Sequence, residues 1–253
     1  MTSAQYKELG RYTHTRPDIA YIVNHLSQFL YCPTDIHWQV VKRVLRYLSG
    51  TRSFGFLFQP SNDLSITAYS DADWAANIDD RKSVVAYCVF LGANLVSWSS
   101  KKPTVVARSS TESEYRALDL AASEIVWLKQ LLEELHISQS RKPVLWCDNI
   151  SVGALATNPV FHARTKHIEI DVHFIRDQVL RGVLEVRYVP STNQLADCLT
   201  KSLTHSQFQL LRSKLGVICV PARLRGDVRS KDESDEASTS SNTTMLEDDS
   251  NGK

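Results

Sequence analysis

The stretch Ser109 to Leu135, SSTESEYRALDLAASEIVWLKQLLEEL, admits one regular structure. Wound as a helix, it sets Leu118, Ala121, Ile125, Leu128 and Leu132 on a single stripe at alternating steps of three and four, the pattern of a face turned toward a core. Glu114 lies on that stripe, one turn before Leu118. Its neighbour Glu112 falls about 200° round the helix and reads as a solvated charge near the N-terminus. A carboxylate aimed along a core-facing stripe is costly unless a cation, a metal ion or hydrogen bonds meet it. The alternatives are a helix end where Glu114 just clears the core, or a cap.

A chain that spends so long a helix on one face must own a core for it. With 253 residues and 43% hydrophobic content, there is enough apolar material for one domain with extensions or two small ones. No run of about 18 apolar residues occurs, and the start MTSAQYKELGRY lacks a basic region followed by an apolar one, so the expectation is an intracellular protein, cytoplasmic or nuclear, with no membrane partner. The five cysteines, Cys32, Cys88, Cys147, Cys198 and Cys219, are scattered and never spaced Cys-x-x-Cys. That argues against a disulfide framework or a structural zinc site and predicts reduced, mostly buried thiols.

The first sixty residues are helical and basic. Pro17 can open a helix through Ile19, Ile22, Val23, Leu26 and Leu30 that stops before Cys32-Pro33. A second helix from about Asp35 to Leu48 has an apolar side in Trp38, Val41, Leu45 and Leu48 and ends at Gly50. Its Lys42, Arg43 and Arg46 form either an ordinary solvated face or a contact for a nucleic-acid backbone.

From Ser61 the period becomes that of strands. Ile66, Ala68 and Ser70 alternate with Thr67, Tyr69 and Asp71, giving a half-buried strand with a carboxylate opposite Ile66. Val84 to Leu91 is a second strand, and Asn94 to Ser99 a third after a tight connection at Gly92. Asp79-Asp80-Arg81-Lys82 is a polar turn between the first two, a solvated loop or, less favoured, a paired-carboxylate metal contact. After the long helix come a short apolar run, Pro143 to Trp146, ending in Cys147-Asp148-Asn149; a small helix from Ser151 to about Ala156; and a helix from about Thr165 to Leu180. Gly182 closes it, Val183 to Val189 is a strand, and Asn193 to Thr200 opens a last short helix. A meander followed by strand and helix in alternation implies a mixed sheet with helices on its faces. Four carboxylates then fall at ends of elements: Asp71, Glu114, Asp148 and Asp197. Brought together they would repel one another, and the expectation is that bound cations make the cluster tolerable.

Five segments carry a specific resemblance: Tyr69-Ser-Asp-Ala-Asp-Trp-Ala75, Ser109 to Leu118, Trp146-Cys-Asp-Asn149, His162-Ala-Arg-Thr-Lys-His-Ile168 and Asn193-Gln-Leu-Ala-Asp-Cys-Leu-Thr-Lys201. Together they resemble the ribonuclease H domain of copia-type LTR retrotransposon Pol polyproteins, over about residues 60 to 215. Upstream, Thr15 to Ala20 and His37 to Leu48 resemble the end of the preceding reverse transcriptase, whose Tyr-x-Asp-Asp signature is missing. The resemblance implies an α/β, ribonuclease H-like mixed five-stranded sheet flanked by helices, preceded by a small helical segment. The domains it implies are a helical remnant of reverse transcriptase at 1–60 and a ribonuclease H-like domain at 61–216; the remainder, 217–253, does not resemble the family and is expected from its composition to be a disordered tail.

By the same resemblance, Asp71, Glu114, Asp148 and Asp197 match the family's four catalytic, metal-binding acids, with Asp73 the second choice on its strand. Glu114 rather than Glu112 fits both the family's Glu-hydrophobic-x-Ala pattern and the helical phase. The implied reaction is hydrolysis of the RNA strand of RNA–DNA hybrids with two Mg²⁺ or Mn²⁺ ions, hard cations that suit an all-oxygen set. Lys101, Lys102, Arg108, Arg164, Lys166 and Lys201 are candidate phosphate contacts, and Trp98 or Trp74 could stack on sugars or bases, though packing suits the tryptophans better. The rest of a Pol polyprotein is the implied original partner.

Three departures stand against the family pattern. The loop Val189 to Asp197 has no histidine, for which His162, His167 or His173 are the substitutes; Ser83-Val84-Val85-Ala86 replaces small polar residues; and the start around Tyr6 to Tyr12 is shortened. Beyond about Pro221 the chain turns basic, then acidic, then polar, too poor in apolar residues to offset the entropy of ordering. The alternative function is a catalytically silent ribonuclease H-like module that binds nucleic acid or a partner.

Overall fold

The computed structural model describes residues 10–139, 141–150 and 169–220. In chain order these form a 3-10 turn at Pro17–Ile19, helix α1 (Ala20–Ser27), helix α2 (Asp35–Gly50), strand β1 (Phe54–Phe56), strands β2 (Ile66–Asp73), β3 (Val84–Leu91) and β4 (Asn94–Lys101), and the long helix α3 (Ser110–Glu134). Strand β5 (Val144–Cys147), helix α4 (Glu169–Leu180), strand β6 (Glu185–Tyr188), a 3-10 turn at Ser191–Asn193, helices α5 (Asp197–Thr200) and α6 (His205–Lys214), and strand β7 (Val217–Cys219) complete them. The expected helix from Ser151, the start of the helix expected from Thr165, and the tail beyond residue 220 lie outside the described residues.

The sheet is mixed and five-stranded, in the order β4-β3-β2-β5-β6. β2, β3 and β4 form the antiparallel meander, and β5 and β6 add in parallel on the far side of β2. Gly92 makes the two-residue β3–β4 turn possible: its φ is +60°, and a Cβ there would stand 2.2 Å from the Asp63 carbonyl oxygen. Parallel strands need crossovers, and α3 and α4 supply them. β3, in the interior of the sheet, reads VVAYCVFL because both of its faces are covered. Tyr87 and Val89 face a core built from α3 and α4 with Ile66, Ala68, Leu118, Ile125 and Ile175, whereas Ala86, Cys88 and Phe90 face one built from α5 and α6 with Leu195, Leu199, Leu211 and Leu215. Each fully buried leucine or isoleucine in these layers contributes about 1.5–3 kcal/mol.

Several details differ from the sequence reading. The first helix stops at Ser27 rather than running to Leu30, its last residues forming turns instead. On α2 the buried residues are Val41 and Val44, while Trp38 and Leu45 stand exposed, because this helix packs narrowly on Ile19, Val23 and Leu26. Lys42 lies over the exposed Trp38 ring at 5.4 Å. Helix α6 and the small antiparallel sheet of β1 with β7 have no counterpart in the reading; Val217 to Cys219, placed there at the head of the tail, pair with Phe54 to Phe56. Three-residue strands carry too little periodicity to read from sequence.

Two polar clusters fasten the N-terminal helices. Arg16, buried, binds Asp18 through Nε and Nη2 at 2.9 and 2.8 Å and reaches Thr51, while the Tyr47 hydroxyl donates to Asp18 at 2.5 Å and accepts from Arg212 at 3.3 Å. Gln28 Oε1 accepts from Asn77 and from Lys102, at 3.0 and 2.8 Å. The thiols of Cys88, Cys147 and Cys198 are buried, and all five cysteines are free. Among the described residues no helix is long and apolar enough to cross a membrane.

Candidate active site

β5 ends at Cys147, while β2 runs on to Asp73. The parallel pairing of the two strands stops at Tyr69 with Trp146, so the last four residues of β2 have no strand on that side. Into this notch come Asp71 from β2, Asp148 from the residue after β5, Glu114 from the first turns of α3 and Asp197 from the start of α5. Carboxylate oxygens of Asp71, Asp148 and Asp197 lie within 4.8 Å of one another, and within the same limit a Glu114 oxygen meets Cys147 Sγ and an Asp148 oxygen. Asp73 lies outside both groups.

Each acid is held by its neighbours. The Thr200 hydroxyl donates to Asp71 Oδ2, and the Ser191 hydroxyl donates to Asp148 Oδ2 at 2.9 Å. Gln194, fully buried, donates from Nε2 to the Ser70 carbonyl at 2.9 Å and accepts the Ala196 N–H at 3.3 Å, spanning the residues just before Asp71 and Asp197. The Ala72 N–H reaches the Glu114 carboxylate, whose Oε2 is buried with no partner among the described residues.

A cation is already present. Lys201 Nζ sits 2.9 Å from Asp197 Oδ1 and 3.5 Å from Asp71 Oδ2. Burial alone would lower this ammonium, but Asp71 and then Asp197 hold it above the usual lysine range. Burial, followed by the charges of Asp71 and Asp148, pushes Glu114 up to about 9. Burial and then Asp71 raise Asp197 to about 7, against the pull of Lys201. Asp71 is raised by burial and restrained by Lys201 and Thr200. Burial and mutual repulsion thus push these carboxylates toward the neutral form, and one Glu114 oxygen is buried with no partner among the described residues. The donors fit such an ion: mainly carboxylate oxygens, with one buried thiol at the margin.

Glu112 requires a correction. It is buried rather than solvated, because its side chain folds back over the helix start: Oε2 accepts the Arg108 N–H at 2.9 Å and Oε1 meets Arg116 at 2.7 Å. With Ser109 Oγ accepting the Glu112 N–H at 3.1 Å, this locks the turn that aims Glu114. Of the expected phosphate contacts, Lys101 and Arg108 are exposed, Lys102 is engaged with Asp80 at 2.9 Å, and Lys201 lies on the acids themselves. Arg164 and Lys166 lie outside the described residues, as do His162 and His167, while His173 is exposed on α4. Trp98 is half-buried against Phe56 and donates to the Thr13 carbonyl at 3.0 Å; Trp74, more exposed, donates to the Ala107 carbonyl at 3.0 Å. The sequence reading missed Ser191, Gln194 and Thr200 as supports. Nothing in the local sequence separates them from their polar neighbours Thr192, Asn193 and Lys201, and only their tertiary contacts mark them as supports.

No family model matches the chain. Curated relatives do. It is 52% identical over 215 residues to the retrovirus-related Pol polyprotein from transposon RE2 of Arabidopsis thaliana, covering 85% of this chain and 15% of that protein. The corresponding polyprotein from transposon RE1 of the same plant is 53% identical over 207 residues, covering 82% and 14%. That from transposon TNT 1-94 of Nicotiana tabacum is 40% identical over 203 residues, covering 80% and 15%. The chain belongs to the Pol polyproteins of copia-type transposons. It spans about 15% of the length of these Pol relatives, and the four acids, with their supports, fall inside the shared stretch. Against a solved ribonuclease H1 isolated from compost the likeness is weaker, at 16% identity over 54% of this Pol segment and 93% of that chain, with a TM-score of 0.42.

Proposed function

We propose that this Pol segment is a divalent-metal-dependent ribonuclease H that hydrolyses the RNA strand of RNA–DNA hybrids. The observation that carries the reading is the meeting of Asp71, Glu114, Asp148 and Asp197 in one notch, from four different elements. Structural carboxylates are not normally gathered in this way, since like charges at such spacing disfavour folding. The family supports the substrate, because a Pol polyprotein is the setting in which hybrids arise.

The residues divide the work by position. Asp71, Asp148, Asp197 and Glu114 would hold the ions, Mg²⁺ or Mn²⁺, which when bound supply positive charge at the scissile phosphate and at an attacking water. Thr200 and Ser191, each donating to a carboxylate oxygen, fix which oxygen of Asp71 and of Asp148 faces the notch. Glu114 keeps a proton at neutral pH in the ion-free protein and gives it up when its carboxylate is called on as a ligand. Lys101, exposed at the end of β4, is the phosphate contact this reading favours, followed by Arg108 just ahead of α3.

The deciding experiment is incubation of purified protein with a labelled hybrid in Mg²⁺ and in Mn²⁺, beside Asp148→Asn and a DNA duplex. Cutting confined to the RNA strand and lost in the variant supports the reading. A well-folded protein that cuts nothing under either ion, yet still binds the hybrid, supports the silent module instead.

A further inference from the structure

Lys201, expected from the sequence as a phosphate contact, lies instead on two of the acids. It follows the single turn of α5, and its backbone N–H donates to the Asp197 carbonyl at 3.2 Å, so the side chain folds back over the carboxylate four residues earlier. Its ammonium then lies against Asp197 Oδ1 and, more loosely, Asp71 Oδ2, within the group whose oxygens crowd to 4.8 Å. These are the same two acids that would ligate an ion. An ammonium and a divalent cation cannot share those oxygens without mutual repulsion.

We propose that Lys201 is a built-in counter-cation of the ion-free site, holding Asp71 and Asp197 together until a divalent ion displaces it. This deepens the ribonuclease reading and rests on it. The physical basis is direct: carboxylates at this spacing repel one another when ionised, and among the described residues the ion pairs to Asp71 and Asp197 both come from Lys201. The side chain can leave once those two contacts are exchanged, because the rest of it is not enclosed. Its relative exposure of 36%, against 2% and 5% for the two carboxylates, places its stem at the mouth of the notch. Once displaced, the ammonium stands at the point where a substrate phosphate would enter, so the same residue trades a carboxylate partner for a phosphate one.

The proposal separates from a plain phosphate contact by its effect on ion binding without substrate. Mg²⁺ and Mn²⁺ affinity is measured by calorimetry on the full chain without nucleic acid, together with thermal unfolding in chelator and in saturating Mg²⁺, for the wild type, Lys201→Met and Lys201→Arg. Methionine keeps a comparable stem and removes the charge. The expected result is a Lys201→Met protein that melts earlier than wild type in chelator, regains the difference in Mg²⁺, and binds Mg²⁺ about tenfold more tightly. Lys201→Arg, which keeps the competing charge, stays close to wild type. Equal ion affinity in wild type and Lys201→Met overturns the counter-cation role and leaves the ribonuclease reading standing. Equal loss of melting temperature with and without Mg²⁺ also overturns it, marking Lys201 as a purely structural pair. If neither protein binds an ion while both fold, the ribonuclease reading itself fails, and the counter-cation role with it.

Discussion

Gln194 Nε2 donates to the backbone carbonyl of Ser70 at 2.9 Å, across 124 positions of sequence, and this bond joins the two strands of chain that carry Asp71 and Asp197. Ser70 needs it because β5 has already ended, leaving that carbonyl without a ladder partner on its open side. The amide thus completes the sheet and aligns the site in one contact. Gln194→Leu leaves both the Ser70 carbonyl and the Ala196 N–H buried and unmet, at about 1–3 kcal/mol each. Chemical denaturation is expected to show that loss, and hybrid cleavage to fall about 10–100-fold, as when the residues that orient a ligand are removed. A variant as stable and as active as wild type would count against the alignment.

Glu114→Gln removes the carboxylate whose Oε2 is buried without a partner while retaining its shape. The ion-free protein is expected to keep its fold and its melting temperature, and the Mg²⁺-dependent rise in melting temperature is expected to shrink. Under the proposed ribonuclease activity, cleavage of a labelled hybrid drops by about a hundredfold or more on loss of this carboxylate as an ion ligand. The companion Glu112→Gln should behave differently: it weakens the contact with Arg116 and the helix start, so it costs stability before it costs chemistry.

Asp119 on α3 faces Asp171 on α4, and burial followed by the charge of Asp171 raises it to about 6. Its folded value lies above the unfolded one, near 4, so its contribution to stability is full below about pH 4 and is lost as pH rises through about 6. Asp119→Asn removes that loss. Unfolding free energy measured between pH 4 and 8 should therefore decline less steeply in the variant than in wild type. Parallel curves would remove Asp119 from the account.

Arg16 and Asp18 form a buried bidentate pair that also takes in Thr51 and Tyr47. Through Tyr47 the pair reaches Arg212 on α6, tying the N-terminal helices to the C-terminal part of the fold. Arg16→Met leaves the buried Asp18 carboxylate without its counter-charge and is expected to cost about 3–5 kcal/mol in denaturant titration. Asp18→Asn should cost less, since Tyr47 can still donate to the amide oxygen.

Gly92 sits at φ +60° with the Asp63 carbonyl in the space a Cβ would need. Gly92→Ala is expected to destabilise by about 1–3 kcal/mol. Far-ultraviolet dichroism of the folded fraction should remain unchanged, since only the turn is strained.

Periodicity alone determined most of the sheet and its long helix: the 3.6 repeat of Leu118, Ala121, Ile125, Leu128 and Leu132, and the uniformly apolar β3, state which faces are buried whatever packs on them. It also put Asp71, Glu114, Asp148 and Asp197 at the ends of elements, which is why they could be singled out before any coordinates. Only the tertiary structure decided how those ends meet and what stands among them. That Glu112 is buried, that Lys201 turns back onto Asp71 and Asp197, that Gln194 closes the notch, and that β1 pairs with β7 all depend on contacts between residues distant in sequence or on the direction of a single side chain. Local pattern records how a residue repeats along its own element. It holds no information on where another element ends, and in this protein the site is the gap left where β5 stops short of β2.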